Sequence, residues 1–531
     1  MYAAETFTQS EQDVLRRYFT NLDRPVFALV NLPEVVKGAL FARYSRTHKS
    51  LRRLFLDEFV GELDISGDHG VDATVGLQRA EELYQRVFYE YGDDSVAQLG
   101  GVHLACEQAS NLLTKVLEWG RLMSYLEQST RYLAYDKRLA GRYRFHRDPE
   151  VCASPLGARY IGELDRMFDA YAAVLGPLQD HFRAVLAQPG DVSDFAHRQS
   201  IRAKAFDAAR GMLPAASLSN VGIYGTGQAY EALLLRMRTH PLTEARSYAA
   251  MMLTELRKVI PSFLRRVDVE DRGTAWSDYL ATNRAAMEAI AGELVPAEAA
   301  EGPGEVVTLV DFDPDAETKL ITAMLYPYTS LSERRLTDRV LAMSADERVA
   351  VVRAYVGDRG NRRHKPGRAL ERIGYRFDVL SDYGAFRDLQ RHRLLTIEWQ
   401  DLGIGHGFVR PAAVDEAGVG ARFEESMARS ADLYEALAKP FPRQAGYAVA
   451  MAYRVRYVMQ FNAREAMHLI ELRSSPQGHP AYRDVVQRMF RAIRDQAGHV
   501  AVAEMLRYAD LSAGEDGRMA AEQRVAARRA T

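Results

Sequence analysis

The feature that most constrains the fold of this 531-residue chain is an internal repeat. An apolar stretch that predicts a strand, followed by helical patterns, opens each half, at Val26–Asn31 and again at Val306–Asp311. Corresponding landmarks in the two halves are Val30 and Val310, Trp119 and Arg391, and Arg236 and Arg473. Because the order is kept while the offset between the members of each pair shrinks, we interpret the chain as a tandem duplication with insertions in its first half.

The repeat predicts two domains joined by a linker. The first domain is expected to cover residues 1–289 and the second residues 306–511. Residues 290–305 are small, acidic and rich in Pro and Gly, which is typical of a linker. Residues 512–531 are predicted to form a disordered tail. Long helical patterns dominate both halves, so we expect an α+β fold with mostly long helices and a small sheet in each copy.

Composition narrows the classes of protein that this chain can belong to. A net charge of −2 and a pI near 6.7 argue against a general nucleic-acid or membrane-surface binder. No run approaches the ~20 apolar residues that span a bilayer. Cys106 and Cys152 are the two cysteines, too few for a disulfide framework or a Cys-rich zinc site, and no metal site is predicted. The N-terminus carries no signal-peptide pattern, so we expect a cytoplasmic protein.

The most distinctive motif is Arg391-His392-Arg393, which lies in a mostly apolar segment of the second half. Arginine offers a planar fork of donors that suits phosphate, and it also stacks on flat rings. The motif is followed by seven residues and then Asp401. In the first half, Trp119-Gly120-Arg121 is followed by seven residues and then Ser129, within Glu127-Gln128-Ser129-Thr130-Arg131.

Arg-His-Arg, seven residues and then Ser resembles the signature of the flavin-dependent thymidylate synthase family, with one part of it kept in each half. The resemblance continues in Asn462-Ala463-Arg464 with His468, in Leu472-Arg473, and in Ala209-Arg210-Gly211-Met212-Leu213-Pro214, which is similar to the family's Ala-Arg-x-x-Leu-Pro. The fold that it implies is two tandem copies of a flavin-dependent thymidylate synthase-like domain.

The resemblance also implies which residues bind ligands. The FAD-binding residues would be Arg391, His392, Arg393, Asn462, Arg464 and His468. The residues that bind dUMP would be Glu127, Gln128, Ser129, Arg131, Arg210 and Arg473. In the family, the substrate arginine near the Leu-Arg pair is thought to favour ionisation at N3 of the uracil. Arg473 is therefore the expected catalytic residue, and Arg236 is the second choice.

The departures from the family pattern predict one composite site per chain. In the first half, Trp119-Gly120 replaces the Arg-His of the flavin motif. In the second half, Trp399, Asp401 and Gly403 replace the Glu, Ser and Arg of the nucleotide loop, and Asp401 would bring a carboxylate against a phosphate. Gly446 or a neighbour falls where the counterpart of Arg210 should be. One site keeps all its donors, and the other does not.

The implied reaction is the reductive methylation of dUMP to dTMP. Methylenetetrahydrofolate would give the carbon, and NADPH would reduce the FAD. A homodimer of the fused chain would reproduce the family's tetramer. Two alternatives stay open: a flavin and folate enzyme acting on another pyrimidine nucleotide, since Gly120, Thr130 and Asp388 depart from the family, and a non-catalytic nucleotide-binding or structural paralogue.

Simpler interpretations exist for some of these residues. Asn462 with Glu465 three positions later is the pattern of a helix N-cap and capping box. Glu127 and Arg131 are four positions apart, so they could form a solvent ion pair worth ~0.3–0.5 kcal/mol.

Overall fold

A computed structural model describes most of the chain, in nine stretches. These are residues 5–23, 27–44, 49–58, 60, 98–131, 133–188, 192–295 and 304–512, with the single residue 190. All of the predicted tail after Ser512 lies outside the described residues, and so do residues 296–303 of the predicted linker.

Two compact units interleave the halves of the sequence. The smaller one comprises residues 1–107, 122–127 and 220–296. The larger one comprises residues 108–121, 128–219 and 297–531. The larger unit therefore contains parts of both copies of the repeat.

The described residues of the first half form ten α-helices and three strands. They are α1 (Gln9–Tyr18), α2 (Glu34–Tyr44), α3 (Leu51–Glu58), β1 (Gly101–Ser110), α4 (Asn111–Leu117), β2 (Met123–Glu127), α5 (Pro149–Cys152), α6 (Gly157–Val185), α7 (Asp194–Ala209), β3 (Leu218–Thr226), α8 (Gly227–Arg238), α9 (Thr243–Arg257) and α10 (Ala275–Leu294). Helix α10 runs five residues into the predicted linker, because the small residues that suggested a linker are also compatible with a helix.

The described residues of the second half form nine α-helices and four strands. They are β4 (Val307–Phe312), α11 (Ala316–Leu325), α12 (Glu333–Leu341), α13 (Ala345–Val356), β5 (Gly374–Asp382), α14 (Tyr383–Leu389), β6 (Leu395–Trp399), α15 (Ala412–Glu416), α16 (Gly420–Ala438), β7 (Arg454–Asn462), α17 (Ala463–Arg473), α18 (Pro480–Arg491) and α19 (Val500–Met505). None of the helices among the described residues is long and apolar enough to cross a bilayer.

The two strands predicted to open the halves have different outcomes. The second is confirmed as β4. In the described part of the first, residues 27–31, Leu29 forms an isolated bridge with Phe19 and no longer strand is present.

The strand order confirms the duplication. The first half has a three-stranded sheet in the order β1-β3-β2, and the second half has a four-stranded sheet in the order β4-β5-β7-β6, whose last three strands repeat that order. The separation in sequence between the starts of helices α4 and α14 equals that between the starts of strands β2 and β6. It also equals the separation between Trp119 and Arg391, the first residues of the central motif in the two copies. The starts of strands β3 and β7 are separated by fewer residues, and this separation matches that between Arg236 and Arg473 to within one position.

In each copy a strand leads directly into a helix. The residue at each junction caps the helix with its side chain: Ser110 before α4, Thr226 before α8, Asp382 before α14 and Asn462 before α17. A side-chain oxygen at this position accepts one of the backbone N–H groups that a helix leaves unpaired. The junctions therefore fix where the functional helices start.

The central sheet of the second half packs through alternate residues of its strands. In β7, Val455, Tyr457, Met459 and Phe461 are buried, while the side chains between them are more accessible. This period of two is the expected pattern of a strand with one face in the core. Strand β7 pairs antiparallel with both β5 and β6, so it is the centre of the sheet from which α17 emerges.

Equivalent segments of the two copies pair with each other inside the larger unit. The amide of Ala215 donates to the carbonyl of Val449 at 2.8 Å, and the amide of Met451 donates to the carbonyl of Leu213 at 2.9 Å. The motif Ala209–Pro214 thus lies beside its own counterpart from the second copy. When the copies are aligned on β3 and β7, Gly446 occupies the place of Arg210.

Candidate active site

A cluster of arginines surrounds Asp388 in the larger unit. Asp388 lies near the end of α14, and 15% of its side chain is exposed. Nη1 of Arg210, in the turn that follows α7, donates to Oδ2 of Asp388 at 3.3 Å. Burial acts to raise the pKa of Asp388, but the charges of Arg391, Arg210, Arg473 and Arg131 hold it well below its ordinary value. The two copies therefore contribute two arginines each to one carboxylate.

Arg131 is held by a carboxylate and by the second copy. Its Nε and Nη2 donate to the two oxygens of Asp207, each at 2.8 Å. Its Nη1 donates to the hydroxyl of Tyr482 at 2.9 Å, and Nη2 donates also to the carbonyl of Gln477 at 3.2 Å. Four of its five N–H bonds are therefore used within the described part of the chain. Burial acts to lower the pKa of Arg131, but Asp207 leaves it raised, so the guanidinium stays charged.

Arg210 keeps most of its donors. Only 3% of the residue is exposed, and Nη2 has no hydrogen-bond partner among the described residues. The guanidinium lies against the backbone of Gly384: a Cβ there would come within 3.1 Å of both Nε and Nη2. A buried guanidinium with unused donors is a costly group, unless an anion completes it.

His392 supports Arg473. Nε of Arg473 donates to Nε2 of His392 at 3.0 Å, so that nitrogen must carry a lone pair. Nδ1 of His392 then donates to Oε1 of Glu465 at 2.7 Å. Burial, followed by the charge of Arg473, holds the pKa of His392 well below its ordinary value, and the ring is neutral. The tautomer is therefore set by its two neighbours.

The start of α17 only half matches the capping-box pattern. Asn462 is the N-cap, and its side chain accepts from the amide of Glu465 at 2.9 Å. The carboxylate of Glu465 is bonded to His392 instead of reaching back to the cap. The N-cap interpretation is confirmed, and the side chain of Glu465 is part of the candidate site.

Positively charged side chains lie near the hydrogen-bonded pair of His392 and Glu465. Burial raises the pKa of Glu465, while His468, Lys365, Arg464 and Arg393 act to lower it. Arg393 is exposed, and Nε of Arg464 donates to the carbonyl of Pro366 at 3.4 Å. Burial lowers the pKa of His468 to about 4, so this ring is neutral at physiological pH. The carboxylate of Glu465 thus has four of the predicted flavin residues near it, His392, Arg393, Arg464 and His468, and Nη1 of Arg464 also lies 3.6 Å from the carboxylate of Glu371.

His392, Glu465 and His468 could in principle hold a metal ion, since one ligand atom of each lies within 4.8 Å of the others. Two features disfavour a cation there. Nε2 of His392 already accepts from Arg473, and the charges of Lys365 and Arg464 act on the same carboxylate. The donor set suits an anion beside it better than a metal within it.

The predicted nucleotide loop is only partly in this cluster. Oγ of Ser129 accepts from the amide of Arg131 at 3.2 Å, and the carbonyl of Gln128 accepts from Oγ of Ser219 at 3.3 Å. Glu127 is the last residue of β2 and belongs to the smaller unit, as does Arg236. Arg473, in contrast, belongs to the unit that contains Asp388. Arg131 is buried and paired with Asp207, so it does not form a solvent-exposed ion pair.

The equivalent positions in the second copy of the repeat lack the arginines Arg131 and Arg210. Gly446 takes the place of Arg210, and a Cβ there would already come within 3.2 Å of Leu112. Gly403 takes the place of Arg131, and Asp401, in the place of Ser129, lies 3.4 Å from Nη1 of Arg443. Among the described residues, the arginine cluster is therefore built once in the larger unit.

Several residues of the cluster were not identified from the sequence. They are Asp207, Gln477, His479 and Tyr482. Nε2 of His479 donates to the carbonyl of Asp207 at 3.2 Å, and its Nδ1 accepts from the amide of Ala481 at 3.1 Å. His479-Pro480 has the form of a helix start, which is the one local signal present. Its contact with Asp207 depends on tertiary structure.

The chain matches a known family twice. The family model of the thymidylate synthase complementing protein matches residues 43–262 and again residues 308–497. A UPF0159 protein of Chlamydia pneumoniae is 39% identical over 494 residues, which cover 92% of this chain and 93% of that protein. UPF0159 protein Ta1429 of Thermoplasma acidophilum is 30% identical over 515 residues, which cover 92% of this chain and 98% of that protein.

Two solved structures are similar to part of the chain. The flavin-dependent thymidylate synthase ThyX of Helicobacter pylori, in complex with FAD and dUMP, is 15% identical, with a TM-score of 0.29 over 37% of this chain and 97% of that one. The UMP/dUMP methylase PolB of Streptomyces cacaoi, bound with 5-Br dUMP, is 18% identical. Its TM-score is 0.31, over 38% of this chain and 96% of that one. On the two matches of the family model, one in each half, the chain belongs to the thymidylate synthase complementing protein family and carries its domain in tandem.

Proposed function

We propose that the chain is an FAD-dependent thymidylate synthase-like enzyme that methylates dUMP to dTMP at one composite site. The observation that carries this proposal is the arginine cluster around Asp388, to which both copies contribute. Membership of the family supports the reaction class. Of the two similar structures, the thymidylate synthase is a complex with FAD and dUMP, and the methylase is bound with 5-Br dUMP.

The charge of the cluster fits a phosphate monoester. The cluster has five cations, Arg131, Arg210, Arg391, Arg473 and Lys115, and four carboxylates, those of Asp207, Asp388, Glu118 and Asp382, so a net positive charge remains. A phosphate monoester carries about −1.5 to −2 at pH 7. Arg210 offers unused donors, and Arg131 has a single N–H left. The phosphate of dUMP would therefore bind chiefly to Arg210, with Ser129 and Gln128 in the loop that leads to Arg131.

The second-half residues fit FAD by their chemistry. Arg391, Arg393 and Arg464 supply cations for a pyrophosphate, and Asn462, His392 and His468 complete the proposed set. When bound, FAD would supply the hydride, which NADPH renews, and methylenetetrahydrofolate would supply the carbon. His392 already uses both ring nitrogens, so its part is to orient Arg473 and not to donate to the flavin.

Arg473 is the proposed catalytic residue. A guanidinium beside the uracil stabilises the negative charge that develops on the ring during methylation. Because Nε is fixed by His392, the two terminal nitrogens are the ones that can face a ligand. A homodimer of the fused chain is the assembly that we propose, in analogy with the family's tetramer.

The test is the flavin content of the purified protein, read from its visible absorbance, followed by an assay for dTMP. We expect about one FAD per chain and dTMP formation that depends on NADPH and methylenetetrahydrofolate. Two flavins per chain would show that the first copy has its own flavin site. Bound flavin with methylation of UMP alone would favour the alternative pyrimidine substrate. Absence of flavin even after FAD is added would favour the non-catalytic paralogue.

A further inference from the structure

Tyr482 lies between two arginines that come from different copies. The Cζ atoms of Arg131 and Arg473 lie 5.7 Å and 5.6 Å from the centroid of its ring. Both distances are within the range in which a guanidinium is attracted to the face of an aromatic ring. The hydroxyl accepts from Nη1 of Arg131 at 2.9 Å, and 5% of the residue is exposed.

The segment that carries Tyr482 holds Arg131 through two direct hydrogen bonds and through a third one to Asp207. We call Gln477, His479 and Tyr482 the clasp. The carbonyl of Gln477 accepts from Nη2 of Arg131, and Nε2 of His479 donates to the carbonyl of Asp207, the residue whose carboxylate pairs with Arg131. The helix that follows, α18, starts with this histidine as its N-cap. The clasp is therefore anchored on a helix of the second copy and closes on an arginine of the first.

We propose that Tyr482 is a positioning residue that fixes Arg131 and Arg473 relative to each other. The inference rests on the proposed function, because Arg473 is the proposed catalytic group and Arg131 lies in the nucleotide loop. The hydroxyl orients Arg131 and through it the loop. The ring packs against the guanidinium of Arg473, whose Nε is fixed by His392. One side chain thus links the residues that bind the nucleotide to the one that acts on its base.

Two substitutions separate the hydroxyl from the ring. Tyr482→Phe removes the acceptor of Arg131 and keeps the ring, so we expect KM for dUMP to rise about tenfold while kcat changes less than threefold, which corresponds to the loss of one hydrogen bond to a charged donor. Tyr482→Leu removes the ring as well, so we expect kcat to fall about tenfold or more in addition. Flavin content should stay near the wild-type value in both variants.

Tyr508 provides a matched control. Cζ of Arg359 lies 5.1 Å from the centroid of its ring, and its hydroxyl donates to the carbonyl of Arg359, outside the arginine cluster. Tyr508→Phe should leave KM and kcat per folded chain within twofold of wild type. If folded Tyr482→Phe and Tyr482→Leu behave like Tyr508→Phe, Tyr482 serves only stability and the proposal is wrong.

A second measurement keeps this test distinct from that of the proposed function. Failure of the wild-type chain to bind dUMP by calorimetry would overturn the proposed function but not the link between the arginines. Non-additive changes in the urea midpoint of Arg131→Gln and Arg473→Gln would still report coupling between them. We expect this coupling to vanish when the same pair is measured in Tyr482→Leu. Coupling that persists without the ring would overturn the role of Tyr482.

Discussion

Replacing Asp388 with Asn should weaken the fold and strengthen anion binding. Asp388 is the common neighbour of four arginines and is mostly buried with Arg210. Removing one partner of a buried ion pair costs about 3–5 kcal/mol, since the other charge is left uncompensated. We therefore expect the free energy of unfolding of Asp388→Asn to fall by about this amount when no nucleotide is present.

The effect on nucleotide affinity has the opposite sign. The substitution removes one negative charge, so the net charge of the cluster becomes more positive by one unit. A phosphate about 6 Å from the lost carboxylate would escape a repulsion of about 3 kcal/mol at an effective dielectric constant of ~20. Even half of that value corresponds to about tenfold tighter binding. Calorimetric titration with dUMP, together with urea unfolding with and without dUMP, measures both changes on one preparation.

Asp378→Asn is the matched control for this substitution. Asp378 lies 3.0 Å from Nη1 of Arg456, and both side chains are partly exposed, at 30% and 20%. Such a pair is worth less than about 1 kcal/mol, so stability and dUMP affinity should change little. Weaker dUMP binding by Asp388→Asn would refute the charge argument, because it would mean that the carboxylate itself accepts a hydrogen bond from the substrate.

Three further substitutions test separate parts of the site. Gly384→Ala places a methyl group 2.9 Å from Oδ1 of Asp382 and 3.1 Å from Nη2 of Arg210, so it should displace both side chains, weaken dUMP binding and cost about 1–3 kcal/mol of stability. Gly176→Ala in α6, with nothing within 4 Å, should do neither, and calorimetry with urea unfolding measures both effects. Arg393→Ala should lower the flavin absorbance per chain and leave dUMP affinity intact, and unchanged flavin would remove Arg393 from the flavin site. His479→Gln tests pH dependence, because burial and Arg210 lower the pKa of His479 to about 3. The unfolded chain takes up this proton below pH ~6.5 and the folded chain does not, so the contribution of His479 is complete above that pH and about 2 kcal/mol is lost at pH 5. The difference in unfolding free energy between wild type and His479→Gln should therefore shrink from pH 7 to pH 5, and a constant difference would contradict the assigned pKa.

The sequence predicted those features that have a local or periodic cause. The duplication could be read because strand, helix and motif recur in order, and the N-cap role of Asn462 because it depends on a few adjacent positions. Arg210 and Arg391 could be selected because their motifs are contiguous. The ligand assignments of these residues remain proposals.

Features that depend on distant parts of the chain could not be read in the same way. Arg131 and Asp207 are 76 residues apart, and Tyr482 is 351 residues from Arg131. No periodicity connects such positions. The interleaving of the compact units also has no signal in the sequence, because it arises from pairing between the copies.

The pairing of Ala209–Pro214 with its counterpart has a consequence for how the copies depend on each other. Each copy has given up groups that the other keeps, so a pair of identical first halves or identical second halves would contain no complete cluster. A covalent connection keeps unlike halves at a high effective concentration for each other and makes their one-to-one pairing independent of protein concentration. In a heterodimer, unlike subunits must recognise each other through a specific interface. The covalent connection makes that recognition unnecessary here, and it allows each half to specialise.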